Sequence, residues 1–472
     1  MHSRSKLSRS GGGIGGLAFA VALGKYSDID ITIYESAPVF SEIGAGVGVW
    51  PRIWRTLQKL ELTEALKKAT HKEPKEGLTD TFQFRKSDQR EGHDIYKLQT
   101  DGNFLTYHRA HFQNVLVENL PSSVKIHYNM HLKRYEQNAS GNSAVTLHFA
   151  DGTTFTHDLV VGCDGIKSTV RRQVLTEQAS NAATPEEAQE ILDSIPPQWT
   201  GLVAYRNLVP VERLKEYQDA HPELNIRVPQ ADSIPRMYLG KNVNVVIYAI
   251  AQGKLINVAS FHAQHELAGT KFPGPWVTNV DKQELIDVHE GWEEEVHAII
   301  NCTESPARWA IHASAPLKCW NSGHVALLGD SAHAMSPQQA SGGGQAIEDA
   351  YVLATLLGHR LTNKTNIRRA LSIYDNIRRP GANLVAEKSL LQGRLYGLNL
   401  PGEPDLDWSK CPERLHEIGD AIYENWSWTW NSSLEPFVEK AVSDLEKSEE
   451  IFDKARKASL QMSPDNTMTP LF

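Results

Sequence analysis

The sequence predicts an α/β fold: a parallel sheet wrapped by helices, interrupted by an inserted antiparallel sheet and closed by a helical C-terminal region. Three observations predict it. Gly11-Gly-Gly13-Ile-Gly-Gly16 is followed by a helix-compatible run, Leu17 to Lys25, and then a strand-like run, Ile29 to Tyr34, so a βαβ unit covers about residues 11–60. Strand-like segments follow at Gly201 to Leu208, Arg236 to Gly240, and Val243 to Ile250 with Leu255 to His262, the last two joined by a turn at Gln252-Gly253. From Gln345 to Leu361 apolar residues recur at helical spacing, and the tail from about residue 400 is helical and polar.

The bulk properties narrow the class. A chain of 472 residues has room for two or three domains with sizeable cores. Its net charge of −9, without a long basic run, argues against nucleic acid and anionic membranes as partners. Arg368-Arg369 and Arg378-Arg379 read as solvated helix faces. No apolar run approaches the roughly 20 residues that span a bilayer. Cys163, Cys302, Cys319 and Cys411 are scattered without metal spacing, which fits a reduced, cytoplasmic setting.

Taken in chain order, the N-terminus has two readings. Arg4, Lys6 and Arg9 before an apolar stretch fit a secretory signal. The glycines with Glu35, 19 residues beyond Gly16, fit a dinucleotide site instead: backbone approaching a pyrophosphate, carboxylate on a ribose. The second reading is favoured. The strand such a site needs before its first glycine is usually rich in Val and Ile. Here Ser3 to Ser10 is polar and basic, so that strand is expected to be poor or absent.

His108-Arg109 precedes a helical run, Ala110 to Asn119. Residues 124–162 alternate as short strands, with turns at Asn138 to Asn142 and Asp151-Gly152. Asp158 to Cys163 reads as a buried strand entering Asp164-Gly165 and a helix from about Lys167 to Val174, which Asp164 is placed to cap. Residues 176–198, polar with several prolines, read as a boundary. The resulting division is 1–175, 176–320, 321–395 and 396–472. Trp426, Trp428 and Trp430 read as packing residues.

The richest stretch is His324 to Gly344. A short apolar strand ends in Gly329-Asp330, a proline loop follows, and Gly342, Gly343 and Gly344 precede a helix opening at Gln345. Asp330 can accept hydrogen bonds from a polyol. The glycines let N–H groups approach a flat polar ring, where the helix N-terminus adds partial positive charge. That combination suits a flavin.

In this order the motifs resemble those of the class A FAD-dependent aromatic hydroxylases, over about residues 11–400. The salicylate hydroxylase-like branch is the best match, through Glu42-Ile-Gly-Ala-Gly46, Ala204-Tyr-Arg206, Gly253-Lys-Leu-Ile-Asn257, Gly329-Asp-Ser-Ala-His-Ala334 and Gln345-Ala-Ile-Glu-Asp-Ala-Tyr351. The resemblance implies a Rossmann-type FAD-binding part with an inserted substrate sheet. It implies bound FAD, NADH or NADPH as reductant, and hydroxylation of a small phenolic aromatic acid by O₂, with or without loss of CO₂. By the same token Gly11, Gly13 and Gly16 would meet the FAD pyrophosphate and Glu35 its ribose. Gly46 and Gly48 would pass near the flavin, Arg109 would contact phosphate or ribityl oxygens, and Asp164 would lie between FAD and reductant. Asp330 would bind the ribityl chain, and Gly342, Gly343 and Gly344 the flavin pyrimidine edge.

The chain departs from the branch at Gln338, where histidine is common, at Ala340-Ser341 in the glycine loop, and at Ala249 and Asn244. These positions bear on the substrate. Arg206 is the first choice to hold a carboxylate or phenolate, against a salt bridge on the sheet as its bland alternative. Tyr248, on a face with Asn244, Val246 and Ile250, can hydrogen-bond the substrate or serve as a core tyrosine. His262, His312 and His333 are candidate bases, His333 more a structural residue. Competing readings are a hydroxylase of a larger phenolic secondary metabolite, a flavin halogenase, which the tail position of the tryptophans argues against, and a degenerate protein that cannot hold FAD.

Overall fold

A computed structural model of the chain describes residues 5–10, 12–40, 46–70, 72–137, 144–224, 226–229 and 233–461, with side chains between 12 and 454. Gly11, most of the Glu42–Gly46 motif and the expected Asn138–Asn142 turn lie outside the described residues.

A six-stranded sheet carries the first framework, in the order Asn321–Ser322, Val325–Leu327, Leu159–Gly162, Ser5–Ser10, Ile29–Tyr34 and Lys125–His127. Its pairings are parallel except at the Asn321–Ser322 edge. The expectation of a missing first strand is thereby corrected: Ser5–Ser10 is central, with Leu7 level with Leu159 on one side and Ile31 on the other. The reason lies in the backbone. A strand flanked on both sides is held by main-chain hydrogen bonds, which any non-proline residue supplies, whereas pattern reading sees only side chains.

The Ile14–Leu23 helix follows that strand and is apolar all round, as a helix buried on every side must be. It crosses the Gly342–Gly358 helix at Gly15, where a Cβ would come within 2.8 Å of the Ala346 Cβ and 2.9 Å of Leu328. The second helix opens at Gly342, three residues before the expected start, so the glycines form its first turn.

The helix after Asp164 starts two residues later than expected and extends further, Thr169–Ser180, and residues 176–198 hold a second helix, Pro185–Asp193. Thr184 accepts from the Glu187 N–H at 3.2 Å, while Glu187 accepts from the Ala183 N–H at 3.0 Å. That reciprocal cap is written in the sequence as Thr-x-x-Glu with proline at the first helical position.

The inserted sheet has eight strands, ordered Val277–Asn279, Ala307–Ala313, Gln198–Pro210, Leu255–Ala263, Val243–Ile250, Arg236–Gly240, Leu78–Lys86 and His93–Asp101. All its pairings are antiparallel except that of Arg236–Gly240 with Leu78–Lys86. The 243–263 hairpin turns through three consecutive positive-φ residues, Ala251, Gln252 and Gly253. One sheet face packs Val203, Tyr205, Tyr238, Val245, Ile247 and Val258 against a core that includes Val296 and Ile299 of the Glu294–Asn301 helix. The other face carries Arg206, Met237, Val246, Tyr248, Asn257, Ala259 and Phe261.

The C-terminal region is helical: Ile367–Tyr396, Leu415–Trp426, Trp428–Asn431 and Glu435–Gln461. Trp426 and Trp430 are buried with Trp50, Phe82 and Phe104. Among the described residues no helix is long and apolar enough to cross a membrane.

Candidate active site

A cavity of about 730 Å³ is walled by residues of both large sheets, with strand-end turns of the six-stranded sheet on one side and the second face of the eight-stranded sheet on the other. It collects the candidates from six separate stretches of sequence. Gly13, Gly16, Glu35, Gly46, Gly48, Arg109, Asp164, Arg206, Tyr248, Asp330, Gly342 and Gly343 all line it. Gly344 does not: it is buried against Ile53, whose side chain an added Cβ would approach to 2.7 Å.

At the dinucleotide end, Glu35 follows the Ile29–Tyr34 strand. Its carboxylate accepts from the Gly12 N–H and, at 2.7 Å, from the Ala37 N–H. A Cβ at Gly12 would run into Phe40 and the Glu35 carboxylate itself. Gln113, one turn along the helix from Arg109, donates to the Gly12 carbonyl at 3.1 Å. Sequence reading missed Gln113; its signal was a polar residue one helical turn from Arg109 on the same face.

Asp164 reaches both the cavity and the first turn of the following helix. It lines the cavity, and its carboxylate accepts from the Ser168 hydroxyl and from the N–H groups of Thr169, at 2.8 Å, and Val170, at 3.2 Å. Burial pushes this carboxyl above the usual range, against the pull of those three donors.

The Gly329-Asp330 turn is fixed from several directions. Gly329 adopts φ +67°, which favours glycine, and its N–H donates to Asp349 at 3.1 Å. The Ser331 hydroxyl donates to the Gly162 carbonyl at 2.6 Å, and Arg171 donates to the Ala332 carbonyl at 3.1 Å. Asp349 in turn binds His333 Nε2 at 2.6 Å and Arg378 Nε at 2.8 Å. Arg378 reaches Glu348 at 2.8 Å, which Arg52 meets at 2.6 Å. Burial alone would raise the Asp349 carboxyl, but His333 and Arg378 hold it below its ordinary value. Arg378 is therefore no solvated basic residue, contrary to the sequence reading. It is 3% exposed and sits inside a buried ion network. The clue was Glu348-Asp349 in the middle of an apolar helical stripe, a charge pair that burial forces to find cations.

On the sheet wall, Arg206 is half-buried, its guanidinium 5.3 Å from the Trp309 ring, and its Nε has no hydrogen-bond partner. No ion pair involves it among the described residues, so the salt-bridge alternative falls. Burial and the nearby Arg109 lower its affinity for its proton, while Tyr248 favours the charge. Burial pushes the Tyr248 phenol up to about 12. The Tyr248 hydroxyl overhangs Gly46, where a Cβ would strike it. Of its expected face-mates, Val246 lines the cavity, whereas Asn244 and Ile250 are buried outside the lining.

The three histidines do not serve this cavity. His333 is held by Asp349 against Trp320. His312 stacks on Trp276 with centroids 3.7 Å apart. His262 alternates with Phe261 along its strand and so faces away.

The residues present fit a flavin dinucleotide. Two helix N-termini, at Ile14 and Gly342, meet the cavity without a side-chain cap or an acidic residue in the first turn. Their first-turn N–H groups have no intrahelical acceptor, the arrangement that binds anionic oxygen. The glycine cradle leaves open the space a side chain would fill.

The comparisons with known proteins agree with that geometry. The FAD binding domain family matches residues 10–205 and 278–389. A salicylate hydroxylase of Pseudomonas putida is 32% identical over 91% of this chain and 92% of its own length. The 6-methylsalicylate 1-monooxygenase of Aspergillus terreus is 31% identical over 98% and 97%. A solved salicylate hydroxylase substrate complex superposes with a TM-score of 0.75 at 29% identity, covering 93% of this chain and 98% of that one. The chain belongs to the class A FAD-dependent aromatic hydroxylases, in their salicylate hydroxylase-like branch.

Proposed function

We propose that the protein is an FAD-dependent monooxygenase that uses NAD(P)H and O₂ to hydroxylate a phenolic aromatic acid at the sheet wall of this cavity. One observation carries the substrate class. Arg206 is a half-buried guanidinium without a carboxylate partner, and Arg109 adds to the positive potential there. A buried charge left in that state is costly and is compensated by an anionic ligand. A substrate carboxylate or phenolate is that ligand. Planar bidentate contact from Arg206 fixes the ring's orientation, and Tyr248 adds a neutral hydroxyl beside it.

FAD, once bound and reduced by NAD(P)H, supplies the activated oxygen. Gly13, Gly16 and the Ile14 helix N-terminus would receive its pyrophosphate, Gly11 preceding them in the sequence. Glu35 would take the adenosine ribose, Arg109 phosphate or ribityl oxygens, Asp164 would lie toward the reductant, and Asp330 would bind the ribityl hydroxyls. Gly46, Gly48, Gly342 and Gly343 would meet the flavin, and Gly344 sets the helix against Ile53. Phe82, Phe104, Met237, Phe261 and Trp426 wall the substrate end and exclude water. When the attacked carbon bears the carboxylate, CO₂ leaves; the names of both curated relatives point to salicylates as the first compounds to try.

Purified protein should be yellow, and salicylate or 6-methylsalicylate should accelerate NAD(P)H oxidation with stoichiometric dihydroxybenzene product. Peroxide as the sole product across a panel of hydroxybenzoates would overturn the reading. A colourless preparation that takes up no added FAD would favour a degenerate binding protein.

A further inference from the structure

Adjacent glutamines on the loop between the Asp330 turn and the Gly342–Gly358 helix are finished in opposite ways. Gln339 is fully buried and fully used. Its carbonyl accepts from the indoles of Trp50, at 3.1 Å, and Trp426, at 3.2 Å. Its side chain accepts from Trp428 Nε1 at 3.1 Å and donates to the Asn425 carbonyl at 3.0 Å. Gln338 is 5% exposed and lines the cavity, yet its Nε2 has no partner. Ser336 is 2% exposed, lines the same cavity, and its hydroxyl has none either.

Buried polar groups are almost always satisfied, and leaving a donor bare is costly. Slackness does not explain these two. Three indoles pin the next residue, and the Gln338 stem is pressed on the Ile367–Tyr396 helix, where a Cβ at Gly393 would lie 3.1 Å from its Cγ. Both residues line the cavity that Arg206 and Tyr248 also line.

What this end lacks is equally informative. Among the described lining residues, Glu35, Asp164, Lys167 and Asp330 stand on strand-end turns of the six-stranded sheet, and Lys167 Nζ lies 4.4 Å from the Trp276 ring. His131 follows Met130, whose N–H bonds the Glu35 carbonyl at 2.8 Å, so it belongs to the dinucleotide end. The loop and sheet wall offer Ser336, Gln338, Tyr248, Asn257 and Arg206. None of these takes up a proton near neutral pH.

We propose that Gln338 and Ser336 are the specificity-determining pair for a substrate ring hydroxyl, and that none of the described side chains of this cavity removes that hydroxyl's proton. The inference rests on the phenolic-acid reading above. Gln338 donates an N–H to the hydroxyl oxygen, and the Ser336 hydroxyl turns to accept from a phenol or donate to a phenolate. The phenol O–H breaks before the ring is enclosed, its proton passing to bulk water, and the phenolate keeps the electron pair that activates the ring. The phenolate fraction then follows the substrate's own acidity, shifted by the fixed charge of Arg206.

The test uses FAD-loaded enzyme. Flavin absorbance titrations with salicylate and with benzoate measure hydroxyl discrimination as a ratio of Kd values. Gln338→Met should shrink that ratio about tenfold by weakening salicylate alone, and Ser336→Ala should shrink it less, as loss of neutral hydrogen bonds does. Salicylates carrying fluoro or chloro substituents should displace the ascending limb of kcat/KM against pH in step with their phenol acidities. An unchanged ratio in both variants overturns the role of the pair, and a limb fixed at one pH for every substrate overturns the absence of a base. If no hydroxybenzoate perturbs the wild-type flavin, the phenolic-acid reading fails first and takes this one with it. A discriminating wild type with a fixed limb refutes only the absence of a base.

Discussion

Behind the eight-stranded sheet, Glu295 accepts from Arg227 at 2.8 Å, from Arg236 at 3.1 Å and from the buried Tyr238 hydroxyl. His289, also buried there, has its ring nitrogens at the Leu285 carbonyl, 2.8 Å away, and the Ser260 hydroxyl, 3.1 Å away. In front of the same strands, Arg206, Gln338 and Ser336 keep polar atoms with no protein partner. Neighbouring residues of one strand thus meet opposite treatment: Tyr205 is satisfied by Glu284 at 2.8 Å, and Arg206 is left open. The contrast teaches that burial alone does not mark a site. Unpaired polar atoms gathered around a cavity do, because a ligand can compensate them there.

That contrast can be broken from the closed side first. Glu295→Ala leaves two guanidiniums and a phenol uncompensated under the sheet. It should cost about 3–5 kcal/mol, read as a lowered denaturant midpoint, because removing one member of a buried ion cluster strands the others. Next is pH. Burial lowers His289 from 6.5 to about 4, so the unfolded chain binds its proton more tightly than the folded one. Stability from this residue is complete above pH 6.5 and drains away as pH falls toward 4, by about 3 kcal/mol. His289→Gln should flatten the melting temperature across that window; an unaltered slope would show the histidine is not its source.

On the open side, Arg206→Gln should leave the melting temperature within a few degrees and cut kcat/KM about 100-fold, the loss of a charge-assisted contact of roughly 3 kcal/mol. A large loss of stability instead would make Arg206 structural. Smallest is Tyr248→Phe, expected to lower kcat/KM about tenfold or less, as for one neutral hydrogen bond.

Much of the cofactor end was legible in the sequence because its chemistry is local. A glycine run, a carboxylate at fixed spacing and a strand-end Gly-Asp turn each lie within a few dozen residues. What stayed hidden joins distant segments or ignores side-chain pattern. The Ser5–Ser10 strand is specified by its two neighbours. The Arg52–Glu348–Arg378–Asp349 network draws on three separate helices, and it turns a presumed surface arginine into a buried one. Three histidines looked chemically able, but strand alternation and ring stacking turned them from the cavity. Arg206 drew notice because a guanidinium can hold a carboxylate, and Tyr248 because strand alternation set it on a face with Asn244, Val246 and Ile250; both line the cavity, while Gln338 stood out only as a departure.

The indoles on Gln339 also order the events of synthesis. Domains form as units while the chain emerges from its N-terminus. The turns that receive the dinucleotide can assemble once the Ile367–Tyr396 helix, which supplies Arg378 to the network behind the Gly329-Asp330 turn, is out. The loop facing the substrate cannot be locked until Trp426 and Trp428 have followed, late in the chain. A nascent protein would therefore complete the turns that receive its cofactor before it could lock the loop that meets a ring.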